Sequence, residues 1–318
     1  MSGKKGKTSS AAAVAAELSK KARGGDIDAL TELDSLGFLL APGETLDDYA
    51  DRVAETARRA AEFQSEIGKK GKVELSGLAT LEKERRIGDD VMAEAAEATR
   101  RHYGFAIDWV PGFFLSKGLG LLWGGCAVSF PDDPLPVFLV RAAFADKRKW
   151  LFYRRDELLA HELCHVARAP LNDMKYEETF AYRLSPSPFR SYLGGCFERQ
   201  SDAFLFLAPF FLLLAAQTGK LYLGMEWVPI PLFWALLPIY PAISLLRNHL
   251  ARRTLFKAAA ALSNAGTAEP FRVLFRSTAS ETAEVAALAD DPEGLEKWLD
   301  GKVAAEPRWK VAVAVSRG

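Results

Sequence analysis

The sequence predicts an α+β fold in which a small, mostly antiparallel sheet is followed by two consecutive helices. A polar, alanine-rich region with helical periodicity comes first, then a region rich in aromatic and branched residues broken by Gly and Pro, then helical patterns to the end. These changes divide the 318 residues into four parts. They are an N-terminal helical region (1–103), a core (104–190), an apolar helical hairpin (191–250) and a C-terminal helical region (251–318).

The N-terminal region predicts three helices, over residues 11–36, 46–67 and 81–103. Apolar positions are few in all three. We therefore expect helices that face solvent or form a loose cap over the rest of the protein.

The core begins with two predicted strands, over residues 105–110 and 136–144. Between them, glycines predict turns or bulges. These are Gly118, Gly120, Gly124 and Gly125.

Two helices separated by a short turn complete the core. The first begins near Asp156 and ends before Pro170, because the residue preceding a proline disfavours helical backbone. Asn172 or Asp173 is the predicted N-cap of the second helix, over residues 174–184.

The first of these helices contains the sequence His161-Glu162-Leu163-Cys164-His165, an HExxH pattern. Residues four apart share a helix face, so His161 and His165 can present two nitrogen ligands to one zinc ion. Glu162 lies beside that face and is the predicted general base. The alternative is a pair of surface histidines on an amphipathic helix.

A catalytic zinc takes three protein ligands and keeps one position open. His165 and Glu178 lie at similar distances on either side of the turn at Pro170, so an antiparallel helix pair places Glu178 level with the histidines. Glu177 points about 100° away on the helix, although the sequence leaves open that it is the ligand instead. Tyr182 shares the face of Glu178 and is a candidate for contacting substrate or water.

HExxH followed by a glutamate on the next helix resembles the gluzincin group of metallopeptidases, and Glu178-Thr179-Phe180-Ala181 is similar to that group's ligand helix. The resemblance covers about residues 105–185. It implies one zinc ion per chain held by His161, His165 and Glu178, Glu162 as base, and an edge strand beside the cleft that pairs with a polypeptide substrate. Residues 136–144 are the candidate for that strand. Unlike several subgroups, the chain has Tyr182 rather than an acid four residues after Glu178.

Two apolar runs follow, over residues 203–216 and 227–246. The second contains 20 residues without a charge and four prolines. Its length suits a helix that crosses the bilayer. The pair predicts a membrane hairpin or a re-entrant element in contact with lipid, with a buried helical pair in a soluble protein as the alternative.

Charges around the hairpin predict its orientation. Basic residues flank both runs, whereas the connecting loop holds only Lys220, opposed by Glu226. The flanking residues are Arg183, Arg190 and Arg199 before the first run and Arg247, Arg252, Arg253 and Lys257 after the second. The positive-inside rule then places both ends, and the zinc site, in the cytoplasm. An N-terminus that does not read as a signal peptide and an odd number of cysteines, three, agree with this placement.

Composition narrows the function further. With 41 basic and 41 acidic residues the chain has no net charge, which argues against nucleic acid as a partner. The sequence therefore predicts a membrane-associated zinc endopeptidase acting on a membrane-proximal or cytoplasmic polypeptide. The alternatives are a non-catalytic membrane-bound binding or scaffold protein with a metal-binding HExxH, and a soluble metallopeptidase with a buried hairpin.

Overall fold

The computed structural model describes residues 8–75, 77–115, 123–130, 133–151 and 153–317, and it shows the mixed α and β fold that the sequence predicts, with helices predominant. The helices are α1 (Thr8–Arg23), α2 (Ile27–Ser35), α3 (Leu46–Lys70), α4 (Asp89–Tyr103), α5 (Ala143–Asp146), α6 (Arg155–Arg168), α7 (Glu177–Arg183), α8 (Pro188–Leu193), α9 (Gln200–Leu223), α10 (Ile230–Leu236), α11 (Ile239–Asn264), α12 (Pro270–Phe275), α13 (Ala279–Ala287), α14 (Pro292–Ala305) and α15 (Pro307–Val315). The strands are β1 (Lys72–Leu75), β2 (Ala79–Glu82), β3 (Gly112–Leu115), β4 (Gly125–Phe130), β5 (Asp133–Arg141), β6 (Lys149–Trp150) and β7 (Tyr153–Arg154).

The first predicted helix, over residues 11–36, is two helices. Gly25 adopts a positive φ of 79°, which ends α1, and the Asp26 carboxylate accepts hydrogen bonds from the backbone N–H groups of Asp28 and Ala29 at the start of α2. The prediction over 46–67 matches α3. The one over 81–103 begins too early, because Leu81 is a buried residue of the β1–β2 hairpin and α4 starts at Asp89.

The N-terminal helices are not the loose, solvent-facing cap that the sequence predicts. Alanine and a few larger residues form a buried face between α1 and α3 that is continuous with the main core, including Ala15, Ala22, Tyr49 and Val53. Small alanine side chains let two helix backbones approach closely, so a face with few large apolar residues can still be a packed one.

The main sheet has the strand order β3-β5-β4 and is mixed, because β5 pairs parallel with β3 and antiparallel with β4. In the described structure, residues 105–110 form no strand; Phe105 and Ile107 are instead anchored in the core by irregular backbone. The predicted edge strand, 136–144, is wrong in place and in extent: it corresponds to β5, the central strand. Its continuous apolar run is typical of a strand that is buried on both faces.

Of the four glycines expected between the strands, Gly118 and Gly120 lie outside the described residues. Gly124 and Gly125 stand at the start of β4, which forms the edge of the sheet beside α6.

The turn between α6 and α7 differs from the prediction in detail. Asn172 has a positive φ of 49°, and Asp173 caps the turn by accepting from the N–H of Lys175 and, through its other oxygen, from the N–H of Ala279. Helix α7 nevertheless begins only at Glu177, so its N-cap is Tyr176 and neither Asn172 nor Asp173.

The C-terminal helices pack against the N-terminal region. The buried Arg276 binds the Asp34 carboxylate and donates to the carbonyl of Tyr103, while the ring of Phe275 stacks on that of Tyr103 at 4.3 Å. Residues from both ends of the chain therefore share one core. Asp291 precedes α14, and its carboxylate caps this helix by accepting from the N–H of Gly294.

Among the described residues, two helical stretches are long and apolar enough to cross a membrane, Ser201–Leu223 and Ile230–Asn264. Few of their residues are buried, so the described part of the chain does not cover the pair, as the alternative of a buried hairpin requires. Prolines shape the second stretch, where Pro238 separates α10 from α11.

Candidate metal centre

His161 and His165 lie one turn apart on α6 and point to a common space. Their Nε2 atoms are 3.1 Å apart, and both side chains are largely buried where α6 packs between β4, α4 and α7. The i, i+4 spacing thus produces the paired imidazoles that the sequence predicts.

Glu178 projects from the first turn of α7 to the same point. One of its carboxylate oxygens lies 3.5 Å from Nε2 of His161 and the other lies 3.5 Å from Nε2 of His165. The three residues form a group that can hold a metal ion, with ligand atoms within 4.8 Å of one another.

The spacing of these atoms suits zinc. Ligands bonded to a tetrahedral zinc ion at about 2.0–2.1 Å lie about 3.3 Å from one another. The two imidazole nitrogens are 3.1 Å apart, and each lies 3.5 Å from a different oxygen of Glu178, distances close to that value. Two imidazoles and one carboxylate are also a typical donor set for a zinc site that keeps its fourth position open.

Glu177 faces the other side of His165. Its Oε2 lies 3.1 Å from Nδ1 of His165, and its Oε1 accepts a 2.7 Å hydrogen bond from Nε of Arg168. When Nδ1 of His165 donates to this carboxylate, the lone pair of Nε2 is directed at the metal position. Glu177 therefore orients the candidate ligand His165. The sequence predicts only that Glu177 faces away from the metal position and does not predict this contact.

Arg168 holds Glu177 in place. The guanidinium is fully buried, stacks over the ring of Phe180 at 4.7 Å and donates to the carbonyl of Phe275 on α12. The metal position is thus connected through His165, Glu177 and Arg168 to the C-terminal helices. The only sequence signal for this connection is a basic residue three positions after the second histidine.

Glu162 lies beside the histidines and is partly buried. Its Oε2 accepts a 2.8 Å hydrogen bond from the backbone N–H of Ala127 on β4. The sheet edge therefore fixes the orientation of this carboxylate, and one of its oxygens is left to interact with a molecule bound at the metal position.

The charges of the centre reflect its burial. Burial, assisted by the neighbouring His165, lowers the pKa of His161 to about 3, so this imidazole is neutral and able to bind a cation. Burial raises the pKa of Glu178 to about 7 and also raises that of Glu162. Carboxylates whose charged form is disfavoured by burial are stabilised by a bound cation.

Tyr182 lies on the same side of α7 as Glu178, as the sequence predicts. Its ring centroid is 4.6 Å from that of His161, and burial raises its pKa to about 12, so the phenol stays protonated at neutral pH and can donate a hydrogen bond. Gly194 packs directly on this ring: a Cβ atom at that position would lie 2.0 Å from two ring carbons.

Two cavities meet at the centre. The first, of about 240 Å³, lies beside the start of β4 at Gly125 and contains His161, Glu162 and Glu157, which forms an ion pair with Arg190. The second, of about 750 Å³, contains His161, Glu178 and Tyr182, is also lined by Arg190 and is otherwise mainly apolar. The centre is therefore open to a substrate from two sides.

No protein-family model, curated protein or solved structure matches this chain.

Proposed function

We propose that the chain is a membrane-anchored, zinc-dependent endopeptidase. The observation that carries this proposal is the convergence of His161, His165 and Glu178 with a separate, partly buried carboxylate, Glu162, at an open cleft. A zinc ion bound by the three ligands would polarise the scissile carbonyl group and lower the pKa of a water molecule.

Glu162 and Tyr182 have the remaining roles, which are proton transfer and hydrogen bonding to the substrate. Glu162 accepts the proton of the attacking water and delivers it to the leaving amine, while the N–H of Ala127 holds the carboxylate in position. Tyr182 donates a hydrogen bond to the carbonyl oxygen as negative charge develops there.

Strand β4 takes the role that the sequence analysis gave to residues 136–144. The N–H of Ala127 points away from β5 towards α6, and backbone groups two residues apart on a strand point to the same edge. Gly125 therefore turns its backbone groups to the first cavity, which it lines. An extended polypeptide can pair with the strand there.

A membrane anchor is the second part of the proposal. Arg247 of α11 binds Asp202 of α9 at 2.7 Å, so the polar ends of the two apolar stretches lie together, whereas Lys220 and Glu226 are at the opposite end. If the basic ends of both apolar stretches lie on the cytoplasmic side of the membrane, the metal centre also faces the cytoplasm. Cleavage of the core by protease added outside intact cells would contradict this orientation.

Metal content tests the proposal most directly. We expect about one zinc per chain in detergent-purified protein by elemental analysis, and loss of that zinc in His161→Ala and in Glu178→Ala. The exposed His249 supplies a matched control, since His249→Ala removes an imidazole without touching the centre. No zinc in the wild type, or zinc that Glu178→Ala does not remove, would contradict the ligand set.

The non-catalytic scaffold is the competing function. A purely structural zinc site has no use for a carboxylate such as Glu162 and is closed by a fourth protein ligand, whereas this centre is open to two cavities. Zinc binding without hydrolysis of unfolded polypeptides would favour the scaffold.

A further inference from the structure

The second cavity has an apolar wall that the proposed chemistry does not use. Phe189 and Leu193 of α8, with Phe197 after it, form the wall, and His161, Glu178 and Tyr182 form the floor. We call this space the apolar groove. Phe189 is 72% exposed, so the wall is uncovered.

The wall is fixed to the second apolar stretch. Asn248 donates to the carbonyl of Tyr192 at 2.8 Å, Arg252 donates to that of Ser191 at 2.9 Å, and Ser244 donates to that of Cys196. These three residues of α11 hold α8 and the following turn. The groove therefore keeps a constant position relative to α11.

The wall also adjoins the first apolar stretch. The chain passes from Phe197 to α9 within three residues, and the rings of Phe197 and Phe206 are 5.7 Å apart. If α9 and α11 cross the bilayer, the groove opens at the membrane surface, next to the lipid.

The two cavities differ in chemistry. The first contains Glu157, which the groove lacks, and the groove contains the three large apolar side chains of its wall. They share Tyr153, His161, Tyr182 and Arg190, so the metal position lies between them. A polypeptide that fits both has bulky apolar residues on one side of the scissile bond and polar residues on the other.

We infer that the substrate is the end of a membrane-embedded polypeptide segment, cut where its apolar residues give way to polar ones. This inference rests on the proposed peptidase function. The last apolar residues enter the groove from the bilayer, and the polar residues that follow extend along β4.

Two fusion proteins in liposomes test the inference. Both carry an anchor of about 20 apolar residues and the same polar tail. In the first the tail follows the anchor directly, and in the second a Gly/Ser spacer of about 25 residues separates them. The enzyme is reconstituted at full length, cut positions are read by mass spectrometry, and denatured casein serves as a soluble substrate.

We expect cuts at the boundary between anchor and tail, with the direct fusion cleaved at least about tenfold faster than the spaced one, since filling an apolar pocket changes rates by about 10- to 200-fold. Phe189→Ser should remove most of this preference and retain zinc. Leu78→Ser, which changes an exposed apolar residue of the β1–β2 turn, should preserve the preference.

The outcomes separate the two proposals. Equal cleavage of both fusions, with casein also cut, overturns the inference and leaves the peptidase function intact. A preference that Phe189→Ser does not alter also overturns it. Failure to cut casein and both fusions contradicts the peptidase function and the inference together.

Discussion

Helices α6 and α9 are opposite in composition and in environment. Helix α6 carries charged and titratable residues, yet it is largely buried, and its Arg168 is inaccessible to solvent. Helix α9 is almost entirely apolar, yet Phe211 is 66% and Leu214 is 60% exposed. Between these two helices, burial therefore does not follow hydropathy.

The two helices depend on different surroundings. Around α6, the buried Arg168 and Glu177 are paired with each other, so part of their desolvation is offset within the chain. Around α9 the apolar surface has no cover from the described residues of the chain, and an exposed patch of this size indicates contact with lipid or another protein. The metal centre stands at the junction of the two regions.

The largest effect that we expect is on the rate of peptide hydrolysis, from a change of Glu162 on α6. Glu162→Gln should retain zinc and the hydrogen bond from Ala127 but lower peptide hydrolysis by about 10²- to 10⁴-fold, because the amide does not accept the proton. The measurement is the hydrolysis rate of denatured casein at matched zinc content. Asp156→Asn on the same helix is the control and should leave the rate unchanged; an equal loss in both variants would remove Glu162 from its proposed role.

The next largest effect that we expect is on the free energy of unfolding, from the ion pairs around α6. Arg168→Met leaves Glu177 buried without its cation and should reduce the free energy of unfolding by about 3–5 kcal/mol. Arg154→Met removes an exposed pair with Asp156 and should cost no more than about 1 kcal/mol. Denaturant titration in detergent measures both. Similar losses in the two variants would mean that burial of the Arg168 pair has no special consequence.

On the exposed helix α9, an added charge should affect membrane insertion, and the expected change in free energy is smaller than that for Arg168→Met. Leu212 lies near the middle of α9, so Leu212→Arg should oppose membrane insertion by about 2.5–3.5 kcal/mol. Carbonate extraction of membranes measures this as a shift towards the supernatant. Leu78→Arg, outside the hairpin, is the control and should not shift. A wild-type protein found in the supernatant would show that α9 is covered by protein instead of lipid.

Local spacing explains which parts of the fold the sequence predicts. The common direction of His161 and His165 follows from the helix repeat, and the end of α6 follows from Pro170. The position of Glu178 follows because only a short turn connects α6 and α7. None of these depends on distant parts of the chain.

The errors concern features that distant residues determine. Whether residues 105–110 or Gly112–Leu115 form a strand depends on which segment can pair with β5, and the place of β5 at the sheet centre depends on β3 and β4 together. The predicted start of α7 is also wrong, because its N-cap is Tyr176 and not Asn172 or Asp173. The observed start sets the two adjacent glutamates on different sides of His165, which the sequence alone left open.

The smallest effect that we expect is on zinc affinity, from a comparison of Glu177 with Glu178. Glu177→Gln should retain the acceptor for Nδ1 of His165 but lose the negative charge, and loss of such a supporting carboxylate weakens zinc binding by about 10- to 100-fold. Glu178→Gln should weaken it far more, because a ligand itself is lost. Competition with a chelator at fixed pH ranks the two variants against the wild type. If Glu177→Gln proved the more damaging, Glu177 would be the ligand and Glu178 the supporting residue, and the metal would be bound on the Nδ1 side of His165.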